Sequence, residues 1–194
     1  MTIKATELSA VNVILSNVGM APVSNLTSNN PMVSLAKQML DEVSLAVQSE
    51  GWVFNTEDEY PFKVSGGYIT MPSNVLSFDV EQYDTREVIL RGGKLYDKKE
   101  HDYISEDIDL NVIWLFDFLD LPETAKNYIT IRAANLFAGR AVGSTESVKF
   151  SSREEGAARA ALIEYETQQG DYSMLGNTLN EKNVAYTPYN ALTR

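Results

Sequence analysis

The sequence predicts an α+β fold: two N-terminal and two C-terminal helices forming a bundle, an inserted β-rich segment, and an extended C-terminal tail. Three observations predict it. Apolar residues recur at three- and four-residue spacing at both ends of the chain, as on the buried face of a helix. Between 52 and 115 the period shifts to strand-like alternation, punctuated by two glycine pairs. After Gly170 no period is sustained.

Taken in order, Leu8, Val11, Ile14, Leu15 and Val18 predict a first helix over 6–18, with Gly19 as its stop. Residues 20–30 are rich in turn formers. Asn30 is placed to cap a second helix with Pro31 at its first position, where a missing N–H costs nothing. Its apolar face reads Met32, Leu35, Ala36, Met39, Val43, Ala46 and Val47, and Gly51 ends it; the methionines are core filler on this spacing.

Residues 52–55 (WVFN) read as a short strand, 62–71 as a hairpin turning at Gly66-Gly67, 75–80 as a strand, and 87–97 as a second hairpin turning at Gly92-Gly93. In 107–115, Ile108, Leu110, Val112 and Trp114 alternate with polar Asp107, Asp109 and Asn111. Asp120 and Glu123 form a capping-box pattern for a third helix that carries Ala125, Tyr128, Ile129, Arg132, Leu136 and Phe137 to about 142. A break at 143–147 and a second box, Ser151 with Glu154, introduce a fourth helix ending at Gly170. Its inner face is Ala158, Ala161, Leu162 and Tyr165, and Glu155–Arg159 is an expected i,i+4 pair.

With 194 residues, 44% of them hydrophobic, the chain can bury a core. It has no cysteine, which excludes disulfides and thiolate metal sites. No apolar run approaches the ~20 residues needed to span a membrane, and the opening MTIKATELSA lacks the apolar stretch of a secretory signal. A net charge of −11 argues against strong duplex binding, which needs cations to displace counterions, yet suits a wall past which DNA slides.

The glycine pairs do not make a phosphate loop. Gly92-Gly93 is followed by KLYD, with no Ser or Thr after Lys94 and no following helix. Paired glycines supply the positive φ of a two-residue hairpin turn instead. The single histidine, His101, lies in a charged loop and has neither a nucleophile elbow nor ligand spacing near it. Carboxylates gather at Glu57, Asp58 and Glu59, and again at Glu106, Asp107 and Asp109. A pair of such groups is the requirement for glycoside hydrolysis, so Glu57, Asp58, Glu106 and Asp107 are the candidates for an alternative reading as a polysaccharide or peptidoglycan hydrolase. A solvated charged edge explains them more simply. No catalytic residue, metal ligand or cofactor is assigned.

Several stretches, in order, resemble one family: ELSAVNVIL (7–15), PVSNL (22–26), GWVFN (51–55), RGGKLYD (91–97), LPE (121–123), YITIRAANLF (128–137) and the terminal LTR (192–194). They resemble the tail tubular protein A family, the head-to-tail adaptors of short-tailed bacteriophages. The resemblance implies a non-enzymatic virion protein, assembled in the host cytoplasm and forming a ring of twelve copies. The ring would sit between the portal protein and the tail nozzle, tail tubular protein B, with tail fibres as a further neighbour and genomic DNA passing through the lumen without specific binding. On that reading 1–51 and 116–172 form the helical ring body and 52–115 a β-rich insertion. Residues 173–194 form an extended tail, with Tyr172, Met174, Leu175, Leu179, Tyr186, Tyr189, Leu192 and Arg194 as candidate contacts to portal or neighbour.

Overall fold

In the computed structural model the described residues are 5–27, 30–80, 85–141 and 145–170, with backbone alone for 141 and 145–151. Four helices and six strands in two small sheets make a mixed α+β fold, as the sequence predicts.

Helix α1 (Glu7–Asn17) starts with a capping box: the Thr6 hydroxyl accepts from the Ser9 N–H at 3.2 Å, and the Ser9 hydroxyl accepts from the Thr6 N–H at 2.8 Å. It ends in a Schellman motif, with Met20 N–H donating to Leu15 O and Gly19 N–H to Ser16 O. Helix α2 (Pro31–Gln48) is capped by the Asn30 side chain, which accepts from Met32 N–H at 3.0 Å. Its buried arc is wider than the predicted stripe and turned from it. Val33, Leu40, Ser44 and Gln48 are buried with Ala36, Met39, Val43 and Val47, while Leu35 and Ala46 face out. The cause is that α2 packs against both α1 and α3.

Helix α3 (Glu123–Ala141) touches the other three helices. Its Ala125, Tyr128, Ile129, Ala133, Ala134 and Phe137 form the middle of the helical core, and Leu136 is exposed. The predicted Asp120–Glu123 box is not formed. Phe118–Asp120 is a 3-10 turn, Leu121 is extended, and Pro122 O accepts the Lys126 N–H that starts α3. Glu123 is used otherwise: one carboxylate oxygen accepts from the Ala5 N–H at 3.1 Å, the other from the buried Lys126 ammonium at 3.0 Å, tying the start of α1 to α3. Helix α4 (Thr145–Gln169) starts before the predicted Ser151 cap and runs through it, and residues 142–144 lie outside the described set. A Ser-x-x-Glu pattern caps only where the preceding residues leave the helix, and here they do not. The inner face of α4 is narrow: Ala158, Leu162 and Glu166 are buried, and Ala161 is exposed.

The β lobe is two three-stranded antiparallel sheets: β1 (Thr56–Phe62), β6 (Ile108–Trp114) and β2 (Val75–Val80) in the order β1-β6-β2, and β3 (Val88–Arg91), β4 (Lys94–Asp97) and β5 (Asp102–Tyr103) in the order β3-β4-β5. Their inner faces share one core. Ile108, Leu110, Val112 and Trp114 of β6 point inward as the alternation predicts, and meet Leu95, Ile104, Ile69 and Met71. Gly92 and Gly93 have φ of +59° and +75°, the left-handed pair that a type I′ hairpin turn demands. Gly66-Gly67 repeats that geometry inside a single Ser65–Tyr68 bridge, and the chain then runs beside β4, with Leu95 N–H donating to Ile69 O.

Two expectations about this segment are corrected. Residues 53–55 form a 3-10 turn rather than a strand, because the Asn55 side chain folds back to accept from the Trp52 N–H at 2.8 Å. The first strand is the acidic stretch 56–62, which reads as a loop in sequence because six of its seven residues are exposed and no face alternates. It is an edge strand with a bulge between Glu57 and Tyr60, positive φ at Glu59, and a proline at 61. All of these protect an edge from further pairing.

Candidate functional site

Three polar arrangements among the described residues bear on function. The first is a buried seam where the β lobe joins the helices. Gln48, in the last turn of α2, is 0% exposed. Its amide nitrogen donates to the Ser44 hydroxyl at 3.0 Å and to Phe116 O at 3.1 Å, and its carbonyl oxygen accepts from Phe116 N–H at 2.8 Å. Asn55 donates to Gln48 O at 2.9 Å and to Trp114 O at 2.7 Å. Two side-chain amides therefore hold together the chain entering the lobe and the chain leaving it. Trp52 closes the corner through its indole N–H, which donates to Val47 O at 2.7 Å. From the far end of α4, Glu166 accepts from Val53 N–H. Burial holds its carboxyl above the usual range, and the Val53 hydrogen bond pulls it back only in part.

None of Gln48, Asn55 and Glu166 is marked for this role by a motif in the sequence. One local signal exists: Ser44 and Gln48 continue the phase of Leu40 on α2, so polar groups sit on a buried stripe and must find partners. Their partners, up to 113 residues away in sequence, leave no local trace.

The second arrangement lies over α3 and α4. Arg159 grips Glu50 with both terminal nitrogens, at 2.8 and 3.2 Å, and donates to the Tyr128 hydroxyl at 2.9 Å. Arg132 donates to the same hydroxyl at 2.6 Å. The hydrogen bonds to Glu50 and then to Tyr128 raise the Arg159 pKa further, so it stays cationic. The predicted Glu155–Arg159 pair gives way to this reach across the bundle. Glu155 accepts from Asn135 at 2.9 Å and lies 3.9 Å from Arg132. These groups line an open depression of ≈ 500 Å³ with Ser152 and Gly156. Its two arginines, Arg132 and Arg159, are matched by two carboxylates, Glu50 and Glu155. Its evident work is to fix α4 and the end of α2 against α3.

The third comprises the residues singled out in sequence. His101 is exposed in a loop with φ of +58°. Glu57, Asp58, Glu106 and Asp107 are exposed, and Asp107 accepts from Val64 N–H at 2.8 Å. Glu57 lies opposite Val112 and Phe62 opposite Ile108, so the two acidic groups sit at opposite ends of the β1–β6 pair. Five residues at about 3.4 Å each place them ~17 Å apart, beyond the roughly 5–10 Å that a glycosidase pair spans. Among the described residues no group of His, Asp and Glu could hold a metal, and no helix is long and apolar enough to cross a membrane. The tail candidates Tyr172, Met174, Leu175, Leu179, Tyr186, Tyr189, Leu192 and Arg194 lie outside the described residues.

Comparison with known proteins completes the picture. The family model described as "Tail tubular protein" matches residues 8–172. Tail tubular protein A of Klebsiella phage KP34 is 30% identical over 124 residues, covering 63% of this chain and 66% of the relative. The chain thus spans just under two thirds of that relative's length. The family match runs from α1 to just past α4 and takes in the whole β lobe between, and on that extent the chain belongs to the tail tubular protein family.

Proposed function

We propose that this chain is a structural protein of a phage tail, and within it the head-to-tail adaptor: a ring of twelve copies between portal protein and tail nozzle, through which genomic DNA passes during packaging and ejection. The observation that carries this reading is the family match over 8–172. The molecule has features that suit the role. The cluster of Arg132, Arg159, Tyr128 and Glu50 joins helices. The seam of Gln48 and Asn55 fixes the β lobe on the helices, as a subunit that must present two faces in constant relation requires. A net charge of −11 suits a lumen to which DNA phosphates do not adhere.

In this reading 1–51 with 116–172 builds the ring, 52–115 faces the nozzle or fibres, and 173–194 reaches the portal or a neighbouring copy through the tyrosines and leucines of that segment. Electron microscopy of the purified chain mixed with portal protein tests it. A ring seated on the portal is expected, and the absence of any complex under all conditions overturns it. Deleting 173–194 should weaken that complex; unchanged assembly removes the tail from the account.

A further inference from the structure

The two outer faces of the β lobe carry opposite charge. The strands of the first sheet, TEDEYPF, VLSFDV and IDLNVIW, contain five carboxylates and no lysine or arginine. The alternation that turns Leu110 and Val112 inward turns Asp109 and Asn111 outward, and Asp79 of β2 lies opposite Asn111. Asp79 and Asp109 therefore share the outer face of this sheet. Both are exposed, and neither pairs with a cation among the described residues.

The outer face of the second sheet is the inverse. Leu95 and Asp97 of β4 are buried, which turns Lys94 and Tyr96 outward; the register sets Arg91 opposite Lys94, and Tyr103 opposite Tyr96. The Arg91 guanidinium lies 3.8 Å over the Tyr96 ring, the Lys94 ammonium 3.3 Å over the Tyr68 ring, and the Tyr96 and Tyr103 rings meet edge to face at 5.4 Å. Among the described residues neither cation has a carboxylate partner. Rigid tyrosines beside an arginine are the composition on which binding energy concentrates. Here they stand on a chain of net charge −11.

We propose that these faces are the two halves of one contact between neighbouring copies of this chain: the tyrosine and cation face of one lobe, with Arg91 and Lys94, lies against the Asp79 and Asp109 face of the next. The proposal rests on the ring reading above and adds a lobe-to-lobe contact to the ring that the helical body builds. The two faces are the outer faces of two sheets that share one core, and they differ in composition, so the contact is head-to-tail, the heterologous geometry from which rings close. A foreign anionic partner would satisfy the basic face and leave the acidic one without a role. A second copy satisfies both.

Charge reversal on the full-length chain tests the contact. Sedimentation of the wild type over a series of concentrations should show self-association that weakens with salt. Arg91→Glu/Lys94→Glu and Asp79→Lys/Asp109→Lys should each weaken it by about tenfold or more, since like charges then face one another. An equimolar mixture of the two variants should associate again, because each reversed face now meets its complement; recovery on mixing cannot come from unfolded chains. Association as strong as that of the wild type after either reversal overturns the contact. So does association that stays lost on mixing, or a wild type that remains monomeric throughout. A reversal that abolishes binding of another tail protein while leaving self-association intact also overturns it, and gives the face to that protein. The adaptor reading is judged separately: a wild-type chain that joins the portal yet fails the reversal test loses only this contact, and a chain that passes the reversal test yet never joins the portal loses only the adaptor role.

Discussion

Among the described residues, twenty buried apolar side chains, eighteen of them from the four helices, form the core of the helical body, whereas nine, six of them from the two small sheets, form that of the β lobe. The body joins long elements through extended stripes. The lobe joins strands of two to seven residues, with an edge strand that is exposed almost throughout. So small a core is marginal by itself, because a small unit buries too little of its surface on folding. The lobe therefore depends on its attachment, in a way the body does not depend on the lobe. The polar groups follow this division. In the body, Arg159 and Lys126 make links on a core already closed; at the lobe, Gln48 and Asn55 make the attachment itself.

The largest expected effects probe the two cores directly. Ile14→Ala in α1 removes a wholly buried side chain and should cost about 2–5 kcal/mol, lowering the thermal midpoint of the whole molecule. Leu110→Ala in β6 removes comparable volume but should open the lobe first. Hydrogen exchange would then show amides of β1, β2 and β6 losing protection while α1 to α3 keep theirs. Equal loss in both regions would break the comparison.

Next comes the seam. Gln48→Ala strands the N–H and C=O of Phe116 in a part-buried site and should cost about 2–3 kcal/mol, with lobe amides again affected before those of α3. Smaller is Gly93→Ala in the hairpin turn. No atom lies within 4 Å of an added Cβ there, so only the left-handed backbone is strained, at roughly 1–2 kcal/mol. A thermal melt that shows no change would mean the turn relaxes.

The smallest is Glu166→Gln, under about 1 kcal/mol near neutral pH. Because burial raises the folded-state pKa above the unfolded one, the folded chain binds more protons between the two values. Stability contributed at this site is greatest below the unfolded value and falls as pH rises through the folded one. The glutamine variant can still accept from Val53 N–H and should lack that slope, so urea titrations of both proteins from acid to neutral pH should diverge in that direction. Parallel curves would show that Glu166 is not strained by its burial.

The helices were legible in the sequence because their evidence is local. Asn30 lies beside the turn it caps, and the β6 alternation of Ile108, Leu110, Val112 and Trp114 survives folding unchanged. The glycine turns were legible for the same reason. Strand β1 was not, since alternation records a buried face and TEDEYPF has almost none. The WVFN stretch misled in the opposite sense: its apolar residues suggest a strand, and one amide of Asn55 bends them into a turn. The phase of α2 shifted because a second neighbour widened its contact. Of the candidate surfaces, the charge imbalance between sheets could be read only once the register was known, since Asp79 and Asp109 are thirty residues apart. The seam depends on partners 59 to 113 residues distant, which no local window contains.

Gly51 has a mechanical consequence. A Cβ there would come within 2.9 Å of the Ile113 side chain, so the chain leaving α2 lies hard against β6 at the root of the lobe. With Gln48 and Asn55 bonded across the same root, a pull on the lobe loads both connecting strands together as a shear and cannot peel one from the other.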